Sequence, residues 1–136
     1  MKVQRGFTLI ELVIVIVILG LLAATALPRF SNLTTDARVA SLNGMAGSLR
    51  SAANIAHATQ LVKGYGSGTS VSLDGATITM AGGWPTNADI SNAITDYTGF
   101  TLSSAGVFTL VTSCTVTYSN GGAGTFPSVT VASTGC

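Results

Sequence analysis

Glu11 poses the sharpest chemical question in this sequence. It is the only charge in a run that begins at Phe7 and reads Leu12-Val13-Ile14-Val15-Ile16-Val17-Ile18-Leu19-Gly20-Leu21-Leu22 beyond it. An ionised carboxylate in an apolar medium is costly unless a cation or several donors meet it. The other groups able to do chemistry are dispersed. Cys114 and Cys136 can form a disulfide or act as thiols, and His57 is the sole histidine. Asp36, Asp74, Asp89 and Asp96 stand far apart, each with a cap, turn or surface role available to it. No nucleophile has a base at a recognisable spacing, and one histidine with two thiols makes a poor zinc set. The expectation is therefore a protein that is not an enzyme, with no catalytic residue, no metal site and no cofactor.

The element that carries Glu11 has the reach of a membrane helix. Phe7 to Leu27 is 21 residues, about 31 Å at 1.5 Å per residue, which matches the hydrocarbon core of a bilayer. In lipid the backbone must satisfy its own hydrogen bonds, so the run is expected to be helical despite its β-branched residues. The leader Met1-Lys2-Val3-Gln4-Arg5-Gly6 is basic. Lys2 and Arg5 should hold it in the cytoplasm and leave everything after Leu27 outside. Ala23-Ala24-Thr25-Ala26 offers small residues of the kind found at a secretory cleavage site. Cleavage there would release a conventional exported domain and discard Glu11.

Gly6-Phe7-Thr8-Leu9-Ile10-Glu11-Leu12 resembles the cleavage and methylation motif of type IV prepilins. The resemblance implies cleavage between Gly6 and Phe7 by a prepilin peptidase that also N-methylates Phe7. It implies that the apolar helix is kept and that Glu11 pairs with the N-terminal amine of a neighbouring subunit in a helical homo-oligomer. A carboxylate stranded by the wrong axial offset would be penalised, so the pair would also set register. Downstream, Pro28-Arg29-Phe30-Ser31-Asn32-Leu33, Asp36-Ala37-Arg38-Val39-Ala40, Leu42 and Gly44 resemble the major pilin of the mannose-sensitive haemagglutinin group.

The expected fold is α+β: a long N-terminal helix, half membrane-spanning and half amphipathic, on a small antiparallel head, the ladle architecture of pilins. The expected divisions are a leader at 1–6, a membrane and filament-core helix at 7–27, an amphipathic half at 28–63 and a head at 64–136. Gly20 and Pro28 weaken the helix between them. The resemblance implies that this stretch unwinds on assembly, and a static kink is the alternative. Leu42, Met45, Ala46, Leu49, Ala52, Ala53 and Ala56 recur at three- and four-residue spacing and should face the head. His57 falls opposite much of that stripe and reads as a surface residue. Gly64-Tyr65-Gly66-Ser67-Gly68 should end the helix.

Two alternating runs flank Asp74-Gly75 and read as a hairpin. Gly82-Gly83-Trp84-Pro85 reads as a loop whose tryptophan plugs the core, with a binding aromatic as the alternative. A short helix is expected through Asp89, Ile90, Ala93 and Ile94, capped by Thr86 or Asn87. Strands are expected at Val107–Val111, Cys114–Tyr118 and Ser128–Val131, the last two joined through Asn120-Gly121-Gly122-Ala123-Gly124. Export places Cys114 and Cys136 in an oxidising compartment, so a bridge is the expected state. The resemblance also implies a disulfide-bounded C-terminal region on a filament surface.

Charged residues make up 8% of the chain, and loss of Lys2 and Arg5 would leave four basic and five acidic side chains. No basic patch points to nucleic acid. The expectation is a structural subunit of an extracellular type IV pilus, serving attachment or motility. A pseudopilin of a type II secretion system or a minor pilin is the alternative, the former disfavoured because no carboxylate lies between the cysteines to hold calcium. The implied partners are the prepilin peptidase, an inner-membrane assembly platform with its ATPase, and membrane lipid before assembly. The implied locations are the inner membrane, with the head periplasmic, and then the pilus.

Overall fold

The computed structural model describes residues 6–136, so the basic part of the leader, Met1 to Arg5, lies outside the described residues. One long helix, α1 (Leu9–Val62), precedes eight short strands. The chain divides into two compact units, one up to Thr35 and one from Asp36 to Cys136. The fold is α+β. Gly20 and Pro28 both lie inside α1.

In the first unit, α1 has no apolar surface covered. Leu9 to Leu22 expose every large apolar side chain, and the most apolar window of the helix is wholly unburied. By length and composition that helix can cross a membrane.

In the second unit the helical period switches to one buried face. Leu42, Met45, Ala46, Leu49, Ala52, Ala53 and Ala56 are all buried, as their spacing predicts. The stripe extends one turn further to Gln60, 1% exposed. Its Nε2 donates to the carbonyls of Gly66 (3.0 Å) and Thr69 (2.7 Å), so a buried amide ties down the chain leaving the helix. The end of α1 is closed by a pair of reversed bonds. The Tyr65 amide donates to the Gln60 carbonyl and the Gly64 amide to that of Leu61, which satisfies carbonyls the helix would otherwise orphan.

Strands β1 (Val71–Leu73) and β2 (Ala76–Ile78) form the expected hairpin, with Asp74 and Gly75 both at positive φ. A second, smaller ladder follows. β3 (Met80–Ala81) and β4 (Trp84–Pro85) pair across Gly82-Gly83, where the sequence suggested only a loop. The helix expected after it is a 3-10 turn, Ile90–Ala93, with Asp89 rather than Thr86 or Asn87 at its N-cap. The remaining strands make a meander in the order β5 (Thr101–Ser104), β6 (Val107–Val111), β7 (Cys114–Ser119), β8 (Ser128–Ala132), antiparallel throughout. Strand β5 was not anticipated. All four of its residues are exposed, so it carries no buried alternation to betray it.

Phe108, Cys114, Val116 and Tyr118 alternate inward from β6 and β7 and meet Leu42, Met45, Leu49 and Trp84 in the main core. Ala56, Val71, Ile78 and Met80 form a smaller cluster under the first hairpin. The Cys114–Cys136 disulfide joins the buried start of β7 to the last residue. Closing a loop of this length contributes about 3 kcal/mol in the chain-entropy account.

Two consequences are measurable by denaturant unfolding of the full chain in detergent micelles. Gly75 has φ +85 with open space around it, whereas a Cβ on Gly106 (φ +77) would lie 2.6 Å from the Tyr118 carbonyl oxygen. Gly75→Ala should therefore cost about 1 kcal/mol, and Gly106→Ala about 2–4 kcal/mol. Burial pushes the Tyr118 phenol up to about 12, and its hydroxyl donates to the Pro85 carbonyl at 3.0 Å. An unfolded tyrosine ionises near 10. The folded unit thus keeps the full benefit of this group below about pH 10 and loses it between about pH 10 and 12. Phenolate absorbance should show a late step coincident with unfolding, and Tyr118→Phe should remove that step.

Candidate processing and assembly site

The helix begins at Leu9, and Gly6, Phe7 and Thr8 precede it outside any regular element. The Gly6–Phe7 peptide bond therefore lies ahead of the first helical turn. Phe7 is 92% exposed. A peptidase needs a reachable backbone at the scissile bond, and these two residues, exposed and outside any helix or strand, supply one.

Thr8 is the residue at which the helix starts, and Glu11 lies three positions on. The Glu11 Oε2 atom accepts from the Thr8 amide at 2.8 Å and from the Thr8 hydroxyl at 2.7 Å. The Glu11 amide in turn approaches the Thr8 Oγ1 at 3.4 Å. This is a capping box: the side chains at the first and fourth positions satisfy each other's backbone donors. The spacing Thr-x-x-Glu was visible in the sequence, but attention there fell on the carboxylate's charge and missed its local role. Position matters electrostatically as well. The free amides of the first turn favour negative charge, so a glutamate here sits at the favourable end of the helix dipole.

Glu11 is exposed and its carboxylate bonds, among the described residues, are to its own Thr8. One oxygen is engaged by the cap; the other keeps its acceptor capacity for a cation outside the chain. Both members of the cap lie after Gly6, so scission at that bond leaves the cap intact and places a new amine on Phe7, one residue ahead of it.

The other candidate groups are not brought to this site. Asp89 accepts from the Thr79 amide at 3.0 Å and from the Asn92 amide at 3.3 Å, which ties β2 to the 3-10 turn. The Asp96 carboxyl is held below its usual range, first by the Thr98 hydroxyl and then by the Thr98 amide. Asp74 belongs to a turn. His57 is not the surface residue its position suggested. Its ring stacks on Trp84 with centroids 4.1 Å apart, and its Nδ1 lies 2.6 Å from the Gly83 carbonyl, an arrangement in which Nδ1 donates. Trp84 is buried, 8% exposed, as a core plug should be.

Residues 1–27 match the family described as the prokaryotic N-terminal methylation motif. The amino-terminal segment is similar to those of type IV pilins. The chain is 56% identical over 52 residues to the type IV narrow pilus major component PilA5 of Thermus thermophilus, covering 38% of this chain and 45% of that one. It is 43% identical over 51 residues to the type IV major fimbrial protein FimA of Dichelobacter nodosus, covering 38% and 33%. It is 38% identical over 78 residues to a fimbrial protein of Moraxella nonliquefaciens, covering 57% and 49%. The chain thus spans between a third and a half of the length of these relatives. None of the three names the mannose-sensitive haemagglutinin group, and that finer resemblance is not confirmed. No solved structure matches.

The cap makes a direct prediction. In Glu11→Ala the Thr8 amide loses its acceptor, and its hydrogen exchange in micelles should quicken by roughly fivefold, the equivalent of about 1 kcal/mol. In Glu11→Gln an amide oxygen remains to accept, and the exchange should stay within about twofold of the wild type.

Proposed function

We propose that this chain is a structural subunit of an extracellular type IV pilus. It is cleaved between Gly6 and Phe7, N-methylated on Phe7, and assembled into a helical homo-oligomer through its apolar helix for surface attachment or motility. The observation that carries this reading is one conjunction: an exposed Gly6-Phe7 junction outside regular structure, a capped glutamate and an apolar helix whose large side chains stand exposed among the described residues.

The mechanism follows from what each part must avoid. Before assembly, lipid covers the apolar side chains of Leu9 to Leu22, and the Thr8 cap and the interfacial depth of the first turn make Glu11 tolerable. A membrane peptidase and methyltransferase removes the leader, and the exposed amine of Phe7 becomes the cation available to a neighbour's Glu11. On assembly, apolar helices replace lipid around one another, so an ATP-driven platform moves the helix from one apolar medium to another without wetting it. Glu11 then sets axial register, because an offset that separates it from an amine leaves a charge without a partner in a dry core. Gly20 and Pro28 are the places where α1 would yield if the filament extends. The precursor pool belongs in the inner membrane with the 36–136 unit outside it.

Intact-mass spectrometry on filaments sheared from cells tests the reading. The expected species lacks Met1 to Gly6, carries one added methyl and is short two hydrogens for the Cys114–Cys136 bridge. Glu11→Ala should leave that species in the membrane and reduce sheared filaments by at least about tenfold, the order expected for one buried unpaired charge. Retention of all protein in the inner membrane of wild-type cells would favour a pseudopilin or a minor pilin instead.

A further inference from the structure

Phe126 is 85% exposed, although it is a large apolar side chain in a unit with an otherwise well-covered core. It stands in the loop between β7 and β8, with its ring edge-on to Trp84 at 6.2 Å between centroids. Beside it is a cavity of about 200 Å³ lined by Arg50, Asn54, Trp84, Tyr118, Phe126 and Pro127. These residues lie far apart along the chain, on α1, β4, β7 and the loop before β8, and only the fold brings them together.

The walls are preorganised. His57 stacks behind Trp84 and is itself bonded to the Gly83 carbonyl, which fixes the indole. The Tyr118 hydroxyl donates to Pro85, which fixes the floor. Arg50 donates from one nitrogen to the Val129 carbonyl at 3.2 Å, so its guanidinium is held at the rim while its other N–H groups make no hydrogen bond among the described residues. The Asn54 amide likewise makes none. None of the residues lining the cavity is acidic. A site whose polar groups are a cationic fork and an amide, set against aromatic and proline walls, is complementary to a carboxylate on an apolar face. The volume is below the roughly 300–1,000 Å³ of sites for drug-sized ligands, which leaves room for a single ring.

We propose that this cavity binds a carboxylate carried on a six-membered ring with an apolar face, the carboxylate on Arg50 and the ring against Phe126 and Trp84. Two kinds of molecule present that chemistry: a uronic-acid sugar, through its C–H face, and an aromatic acid. The site lies within the 36–136 unit and does not rest on cleavage or filament assembly.

Trp84 is the only tryptophan, so its indole N–H gives one identifiable signal in the proton–nitrogen spectrum of the full chain in micelles. Glucuronate and benzoate are the acid probes; glucose and benzyl alcohol are their neutral counterparts. At least one acid should shift that signal saturably at concentrations at least about tenfold lower than its neutral counterpart, and which acid does so identifies the source. Arg50→Gln should abolish the preference for the acid, and Arg50→Lys should retain part of it. Phe126→Ala should weaken the favoured acid by about three- to tenfold. Both side chains are exposed, so these variants should keep the wild-type spectrum elsewhere. Equal response to acid and neutral probes, a preference that survives Arg50→Gln, or no saturable shift up to about 50 mM of either acid would overturn the proposal. No filament is present in the micelle sample, so such a result would leave the pilus reading standing.

Discussion

An apolar helical surface that the described residues of its own chain leave exposed is the constraint on which the rest depends. Fourteen large apolar side chains between Phe7 and Leu27 are exposed. At about 1.5 kcal/mol for each, their exposure to water would cost on the order of 20 kcal/mol. That exceeds the net stability of a typical domain, about 5–15 kcal/mol. The helix must therefore be met by an apolar environment, which in the proposed assembly is lipid or copies of itself. The placement of polar groups at its start has to be compatible with both media. Thr8 and Glu11 meet that requirement by bonding each other before any partner arrives.

The same cap changes how Glu11 is best understood. A glutamate waiting unpaired in a bilayer would be a liability at every moment before assembly. A glutamate that closes its own helix end is tolerable alone and still has an oxygen to offer. In the proposed filament, selectivity for a neighbour's amine would come from exchanging solvent or headgroup contacts for a cation, and not from rescuing a bare charge. The identity of these residues was legible in the sequence; the division of labour between Glu11's two oxygens needed the backbone to be placed.

In the 36–136 unit, legibility followed periodicity. The stripe from Leu42 to Ala56 and strand β7 each carry a long enough buried pattern to announce themselves, while β6 and β8 are legible from their runs of β-branched and aromatic residues. Strands β3 and β4, two residues each, are too short for any period, and β5 is exposed throughout. Gln60 occupies a buried stripe position with a polar side chain, and only the carbonyls of Gly66 and Thr69 explain why that is stable. His57 was misplaced for a similar reason. Helical spacing put it opposite much of the stripe, but the Gly82-Gly83 turn brings Trp84 across to meet it, and a contact made by a chain returning from elsewhere leaves no local trace.

The disulfide decides where this unit can vary. Cys114 is fully buried at the start of β7 and Cys136 ends the chain, so both ends of the β7–β8 hairpin are fixed to the core. Tyr118 and Val116 anchor β7 from within, while β8 is largely exposed. The loop between them, from Asn120 to Pro127, therefore hangs from a rigid frame and contributes little to the core. Substitutions there need not spread their cost to the fold. A loop of that kind, carrying Phe126 beside the Arg50 that α1 supplies, can acquire or lose a binding chemistry without disturbing the apolar run at the start of α1. The apolar start of α1 and the loop from Asn120 to Pro127 thus lie in different compact units, and what each has to satisfy falls on separate side chains.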